Sequence, residues 1–281
     1  MTLIIQKPTG AKLNLAKTFT WNETVWNPSM ISTALWLDAA DASTVTTVSG
    51  NVSQWNDKSG NSRNAVQATS DSRPTYTANA LNGKSVLTLD GTDDFMTVAH
   101  AAALDAQISP STVAVVYKKS AGFRVLQKKD GTGNTSDSWF FEDQTSLSVT
   151  GGFATNYATN QNAWQIDVGT WNGSTIKHWR NGTKLVATGV GLSSPISSIV
   201  NGEVDPGPMP TSNTDALYIG RRLNPSGTSG IMTGQIAGIL ISNTVLSDAD
   251  RQKLEGYYAH LFGLTASLPS DHPYKTVGPT P

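Results

Sequence analysis

"TWNGSTIKHWRNGTKLVA", residues 170–187, carries two Asn-Gly pairs, Asn172-Gly173 and Asn181-Gly182. Asn-Gly supplies the two positive-φ positions of a type I′ turn, so the stretch predicts strand, hairpin, strand, hairpin, strand. Just upstream, Trp164, Ile166 and Val168 alternate with polar residues in "AWQIDVGTW". Further back, Val113, Val115 and Tyr117 alternate with Ala114 and Val116 in "TVAVVYKK", again at the period of a strand. Downstream come "DALYIGRR" and the almost continuous apolar run "GQIAGILISN", the second suited to a buried central strand. Strand follows strand with no helix between them. The fold expected is therefore all-β, a two-sheet antiparallel jelly-roll sandwich.

One helix is predicted near the C-terminus. Ser247 is a natural N-cap, with Asp250 three residues on. Leu254, Tyr257, Tyr258 and Leu261 then share a face, and Gly263 suits the C′ position. Gly256 interrupts the pattern, at a cost of about 1 kcal/mol relative to Ala, which close packing would explain. Residues 190–214 read as a long loop and a contact region.

The chain has 281 residues, 15% of them charged, with a formal net charge of −1 and no cysteine. That balance points away from nucleic acid and anionic membranes, and it excludes disulfides and thiolate metal sites. The opening "MTLIIQKPTG" lacks a basic n-region, and no apolar run reaches the roughly 18 residues of a membrane helix. Synthesis in a reducing cytoplasm without membrane insertion is the expectation. Three segments are expected: an arm over residues 1–30, a core domain over 31–263 and a Pro-rich tail over 264–281. Trp21 and Trp26 in the arm, with Pro269 and Tyr274 in the tail, are candidate contacts to the domain or to a neighbouring subunit.

"LDGTDDFMTV", "TWNGSTIKHWRNG", "LYIGRR" and "GQIAGILISNTVLSDADRQKLEGY" stand in the order and spacing of laminin-G-like, concanavalin A-like jelly-roll domains, which the chain resembles from about Ala34 to Leu264. Trp171-Asn172 replaces the Tyr-Asp of that family's hairpin, and Arg180-Asn181-Gly182 replaces its Val-Asn-Gly. The opening "LWLDAADASTV…VSQWNDKSGN" is similar to the subgroup found in phage virion proteins and bacterial surface proteins. The resemblance implies a capsid decoration or tail-associated protein on the virion surface, held by other virion proteins as a homo-oligomer. A trimer follows by analogy with threefold particle sites. Glycan binding is a further implication, because the family includes sugar binders and calcium-dependent adhesion modules alongside silent scaffolds.

Catalysis has little support in the residues. Glutamate is scarce, and the adjacent Glu142 and Asp143 of "FFEDQ" would point to opposite faces of a strand. His100, His178, His260 and His272 are isolated, without metal-ligand spacing. No cofactor is required on this reading. Calcium is the one candidate ion, with oxygen ligands from Asp93 and Asp94 in one turn and Asp130, Asn134 and Asp137 in another. The same acids serve equally well as caps of turn amides. Asp38 and Asp41 in "LWLDAADAST" read as structural. For sugar binding the candidates are Trp139, Phe141, Phe153, Asn156 and Tyr157, aromatic faces beside amides. Alternation places one of Phe140 and Phe141 toward the core.

Overall fold

The computed structural model describes residues 25–105, 110–122, 124–129, 137–141, 147–149, 152–155, 162–173, 175–185, 189–192, 198–200, 203–205, 214–223 and 229–281. The first strands are β1 (Leu35–Asp38), β2 (Val45–Val48), β3 (Asn51–Trp55), β4 (Ala65–Val66), β5 (Thr75–Leu81), β6 (Lys84–Asp90) and β7 (Met96–Val98). Next come β8 (Ser111–Ala121), β9 (Leu126–Lys129), β10 (Asp137–Phe141), β11 (Leu147–Val149), β12 (Gly152–Thr155), β13 (Gln165–Trp171) and β14 (Ile176–Arg180). The series continues with β15 (Thr183–Lys184), β16 (Gly189–Leu192), β17 (Ser198–Val200), β18 (Glu203–Asp205), β19 (Leu217–Ile219), β20 (Arg221–Leu223), β21 (Ser229–Ile231) and β22 (Thr233–Ser242). Helix α1 spans Asp248–Leu261.

Antiparallel pairing sorts the strands into two layers. The first runs β5, β6, β22, β8, β13, β14, β18, β17, with β1 continuing β6 along the same edge of β22. The second runs β2, β3, β4, β7, β19, β9, β10, β11, β12, β16. A single residue pair, Asn51 with Thr75, stitches the layers at one edge. The all-β sandwich expected from alternation is what forms.

Two separate cores explain why β8 and β22 lack a polar face. Val113, Val115 and Tyr117 of β8 face Trp55, Leu89, Met96, Leu126, Trp139 and Leu217 between the sheets. Ala114 and Val116 face the other way, joining Ile166, Val168, Leu240, Leu254, Tyr258 and Phe262 under α1. The domain thus has three layers, with α1, Trp26 and the C-terminal segment covering the outer side of the first sheet. Burying both faces of a strand roughly doubles the apolar area it removes from water, at about 25 cal/mol per Å².

Local signals set the turns. Asn181 and Gly182 both have positive φ (49° and 80°), as the second hairpin requires. The first hairpin departs from expectation: Gly173 has φ 98°, while Asn172 does not turn positive and instead accepts the Thr175 N–H through Oδ1 at 2.7 Å. It is a side-chain-closed loop and not a type I′ turn. Ser247 caps α1 as expected, its Oγ accepting the Asp250 N–H at 3.1 Å, and Gly263 closes it at φ 66°. The stretch 190–214, read as loop, contains β17, β18 and most of β16. Their three- to four-residue length left no periodicity to detect.

Trp26 and the C-terminal segment are fastened to the domain itself. Trp26 is buried with its ring edge-on to Tyr257 at 6.1 Å, and its N–H donates to the Pro279 carbonyl at 3.2 Å. Under the tail lies a buried ion pair: Arg251 Nη1 donates to both Glu255 oxygens at 2.7 Å, and His272 Nε2 lies 3.1 Å from Glu255 Oε2. Tyr274 seats on Gly256, where a Cβ would stand 2.4 Å from the tyrosine Cβ. Pro269 and His272 similarly sit over Gly182. Trp26, Pro269 and Tyr274 thus contact the domain itself, the first of their two expected partners, and the tail packs on it as part of the third layer. Trp21 lies outside the described residues.

Candidate functional site

The acid turn of 89–98 joins β6 to β7. Asp90 Oδ1 accepts the Thr92 N–H at 2.7 Å and the Asp93 N–H at 3.4 Å, while Asp94 Oδ2 accepts the Asp90 N–H at 3.0 Å. Ser72 donates to Asp93 Oδ2 at 3.4 Å. The acids cap turn amides, as the sequence suggested. The Thr92 amide holds the Asp90 carboxyl below its ordinary value. Asp94 moves the other way, pushed up to about 6 by burial and then by the charges of Asp90 and Asp93.

These three carboxylates place one oxygen each within 4.8 Å of the others, so Asp90 joins Asp93 and Asp94 as a potential cation ligand. They supply about half of the six to eight oxygens calcium takes, and hydrogen bonds already engage each of them. Asp137 begins β10, which β19 and β9 separate from β7, so it does not complete this set. Asp130 and Asn134 lie outside the described residues.

Of the aromatic candidates, Trp139 and Phe141 are corrected. Both are wholly buried between the sheets. Trp139 Nε1 donates to the Leu104 carbonyl at 2.9 Å, and the Phe141 ring packs against His178 at 5.4 Å. Of Phe140 and Phe141 it is Phe141 that turns to the core, with Trp139 on the same inward face, so neither Trp139 nor Phe141 offers a ring to a ligand. Phe153 stands on β12 opposite Gly191, and Asn156 and Tyr157 lie outside the described residues.

Other polar groups in the interior hold the fold together. Asp167 is fully buried and receives Arg180 Nε at 3.0 Å, Arg180 Nη2 at 2.8 Å and the Tyr117 hydroxyl at 3.1 Å, with His178 Nε2 at 3.2 Å. Burial alone would raise this carboxyl; His178 and Arg180 outweigh it and hold it below its ordinary value. Burial also lowers His178. A second cluster pairs Lys128 Nζ with Asp105 at 2.7 Å and His100 Nδ1 at 2.9 Å. Asp38 and Asp41, read as structural, both hold Lys58, whose ammonium also sits 4.5 Å over the Trp36 ring.

The outer face of the second sheet carries a group that the sequence reading missed. In the β7–β19 register Met96 faces Ile219 and Thr97 faces Tyr218. Met96 and Ile219 point into the core, so Thr97 and Tyr218 point out. Phe95, one residue before β7, packs its ring 6.5 Å from Tyr218 at an interplanar angle of 39°. After Gly220, whose φ of 79° bends the chain, Arg221 lays its guanidinium 4.3 Å over the Phe95 ring. All three side chains are half-buried. Beside them Val66 on β4 is 42% exposed, and the Gln127 amide bonds both backbone groups of Leu223. Two aromatic faces and a guanidinium on an open sheet surface suit a ring with an apolar face and polar rim. Only the register of strands 123 residues apart brings Phe95 to Tyr218, so no local motif announces the pair.

Fold and pairing together define an all-β sandwich. No protein-family model matches the chain, and no curated protein matches it. Among solved structures it is similar to Trypanosoma rangeli sialidase in complex with sialic acid, at 10% identity and a TM-score of 0.52. That match covers 85% of this chain and 34% of the sialidase chain, so this chain spans about a third of its length. Another similar structure is domain 4 of a GH43 extracellular arabinanase from Geobacillus stearothermophilus in complex with arabinotriose. The identity is 12%, the coverage 80% of this chain and 98% of that one, and the TM-score 0.47. Among the described residues, no helix is long and apolar enough to cross a membrane.

Proposed function

We propose that the chain is a non-enzymatic carbohydrate-binding β-sandwich module displayed on the surface of a phage particle. The observation that carries the binding half is the Phe95–Tyr218–Arg221 platform, two half-buried aromatic rings and a guanidinium on the outer face of the second sheet. The sandwich shared with a sialidase chain crystallised with sialic acid supports the same reading. The carboxylates of the described interior are each tied to a structural partner: Asp167 to Arg180, Glu255 to Arg251, Asp105 to Lys128, Asp94 to a turn amide. That commitment favours binding over hydrolysis, since a glycosidase needs two carboxylates facing one substrate.

The display half rests on the resemblance of "LWLDAADASTV…VSQWNDKSGN" to virion modules. On this reading the protein is made in the host cytoplasm and joins other virion proteins as a homo-oligomer, a trimer by analogy. It needs no nucleic acid, membrane or obligatory cofactor. Calcium, if taken up, goes to Asp90, Asp93 and Asp94.

A glycan array probed with the full chain, with calcium and with chelator, tests the binding. Binding that Phe95→Ala and Tyr218→Ala abolish without loss of fold is the expected result; no binding above background overturns it. An adhesin with no structural role fits the same platform. Co-sedimentation of the protein with assembled particles is expected for the virion reading, and its absence would leave the adhesin. Release of sugar from a bound polysaccharide would overturn the non-enzymatic assignment.

A further inference from the structure

Arg221 differs from the other arginines whose contacts are known. Arg180 pairs with Asp167, Arg251 with Glu255, and Arg63 and Arg73 donate to backbone carbonyls. The Arg221 side chain has its stack on Phe95 and, among the described residues, no hydrogen bond or ion pair. Its Nε is shut off from solvent and has no acceptor. A shielded donor without a partner forfeits the hydrogen bond that water would have given it, and a charged donor forfeits more. With Nε shielded, the two terminal nitrogens are the donors left to a ligand, and together they match a planar, two-oxygen acceptor, which is the geometry of a carboxylate.

The surroundings narrow the class. Phe95 and Tyr218 stand beside Arg221 and suit the C–H face of a pyranose ring, and Thr97 adds a hydroxyl next to Tyr218. We infer that the platform selects acidic sugars, with the ring carboxylate on Arg221 and the sugar face on Phe95 and Tyr218. The inference rests on the carbohydrate-binding reading and adds the charge of the ligand to it. Uronic acids and sialic acids share this chemistry.

Isothermal titration of the full chain with trigalacturonate, its methyl ester and sialyllactose tests it. Binding to at least one of the two acids is expected, and the ester is expected to bind about tenfold or more weakly than trigalacturonate when that is the acid bound. Arg221→Met should weaken acid binding by about tenfold or more, while Arg221→Lys, which keeps the charge but not the fork, should fall between. Circular dichroism of both variants establishes that each is folded. Equal affinity for acid and ester, or acid binding indifferent to Arg221→Met in a folded variant, overturns the inference while leaving carbohydrate binding standing. Binding to neutral glycans alone does the same. Silence toward every glycan removes both.

Discussion

Asp94→Asn should make the protein more stable at neutral pH, by an amount the turn geometry sets. In the folded chain the Asp94 carboxyl is pushed from 3.8 up to about 6, because it is buried and because Asp90 and Asp93 bring two like charges close. A folded-state value above the unfolded one means the native state holds the proton longer. Native stability therefore falls as pH rises from about 3.8 through 6, and the loss is complete above that window. At about 1.4 kcal/mol per unit, the ceiling is about 3 kcal/mol. Asparagine keeps an oxygen that can accept the Asp90 N–H, now at 3.0 Å from Asp94 Oδ2, and carries no charge. Urea unfolding of both proteins at several pH values between 4 and 8 reads the difference. The variant should lead by about 1–3 kcal/mol at pH 8, the lead should shrink through pH 6, and it should vanish near pH 4. Equal stability at pH 8, or a lead that grows on acidification, would refute the electrostatic account. Millimolar calcium extends the test: if the cluster binds the ion, calcium stabilises the parent protein at pH 8 and leaves Asp94→Asn unchanged.

Three further outcomes follow from the interior. Arg180→Met takes the guanidinium from the buried Asp167 carboxylate, leaving it the Tyr117 hydroxyl and His178, and should cost about 3–5 kcal/mol at neutral pH by chemical denaturation. The parent pair loses its contribution as pH falls through the depressed Asp167 value, whereas the variant should be least stable at high pH, where the carboxyl ionises. Gly256→Ala gains up to about 1 kcal/mol of helix propensity yet drives a methyl into Tyr274, so the net change should be destabilising, with faster proteolysis of the tail. Trp139→Ala should cost about 3–5 kcal/mol by emptying the inter-sheet core, whereas Tyr218→Ala should cost under about 1 kcal/mol and act on binding.

Much of the fold was legible because its signals are local. Asn181-Gly182, the Ser247 cap and the alternation in 113–117 each act over a few residues, and each takes the expected form. The acid turn was legible for the same reason: Asp90 can reach the amides of Thr92 and Asp93 only because they follow it closely in the chain. Alternation does not say which face of a strand is covered. Trp139 and Phe141 share a face, but burial of that face depends on the second sheet, whose short strands β11, β12 and β16 carry little pattern of their own. The role of the chain ends was likewise hidden. Gly182 and Gly256 are the imprint of the tail on the domain, and a glycine in a sequence does not reveal what presses on it.

The same limit explains where function sits. Residues that hold a sandwich together repeat at the strand period, so a sequence reading finds them first and takes the large aromatics among them for binding groups. A sheet's outer face needs no periodic apolar residue, and a ligand platform there is built from positions that pairing alone brings together. Phe95 and Tyr218 meet through the β7–β19 register, and Arg221 reaches Phe95 only because Gly220 bends the chain between them. At Gly220 a Cβ would stand 2.0 Å from Leu89 Cδ2, so the core itself enforces glycine and, with it, the bend. Replacing Gly220 by alanine should therefore loosen the core and displace Arg221 from the platform together. Arg221→Met leaves the bend in place and removes only the guanidinium. If both variants lose acid binding while only Gly220→Ala loses thermal stability, the core and the platform are linked through this one residue. Acid binding that persists in a folded Gly220→Ala protein would break that link.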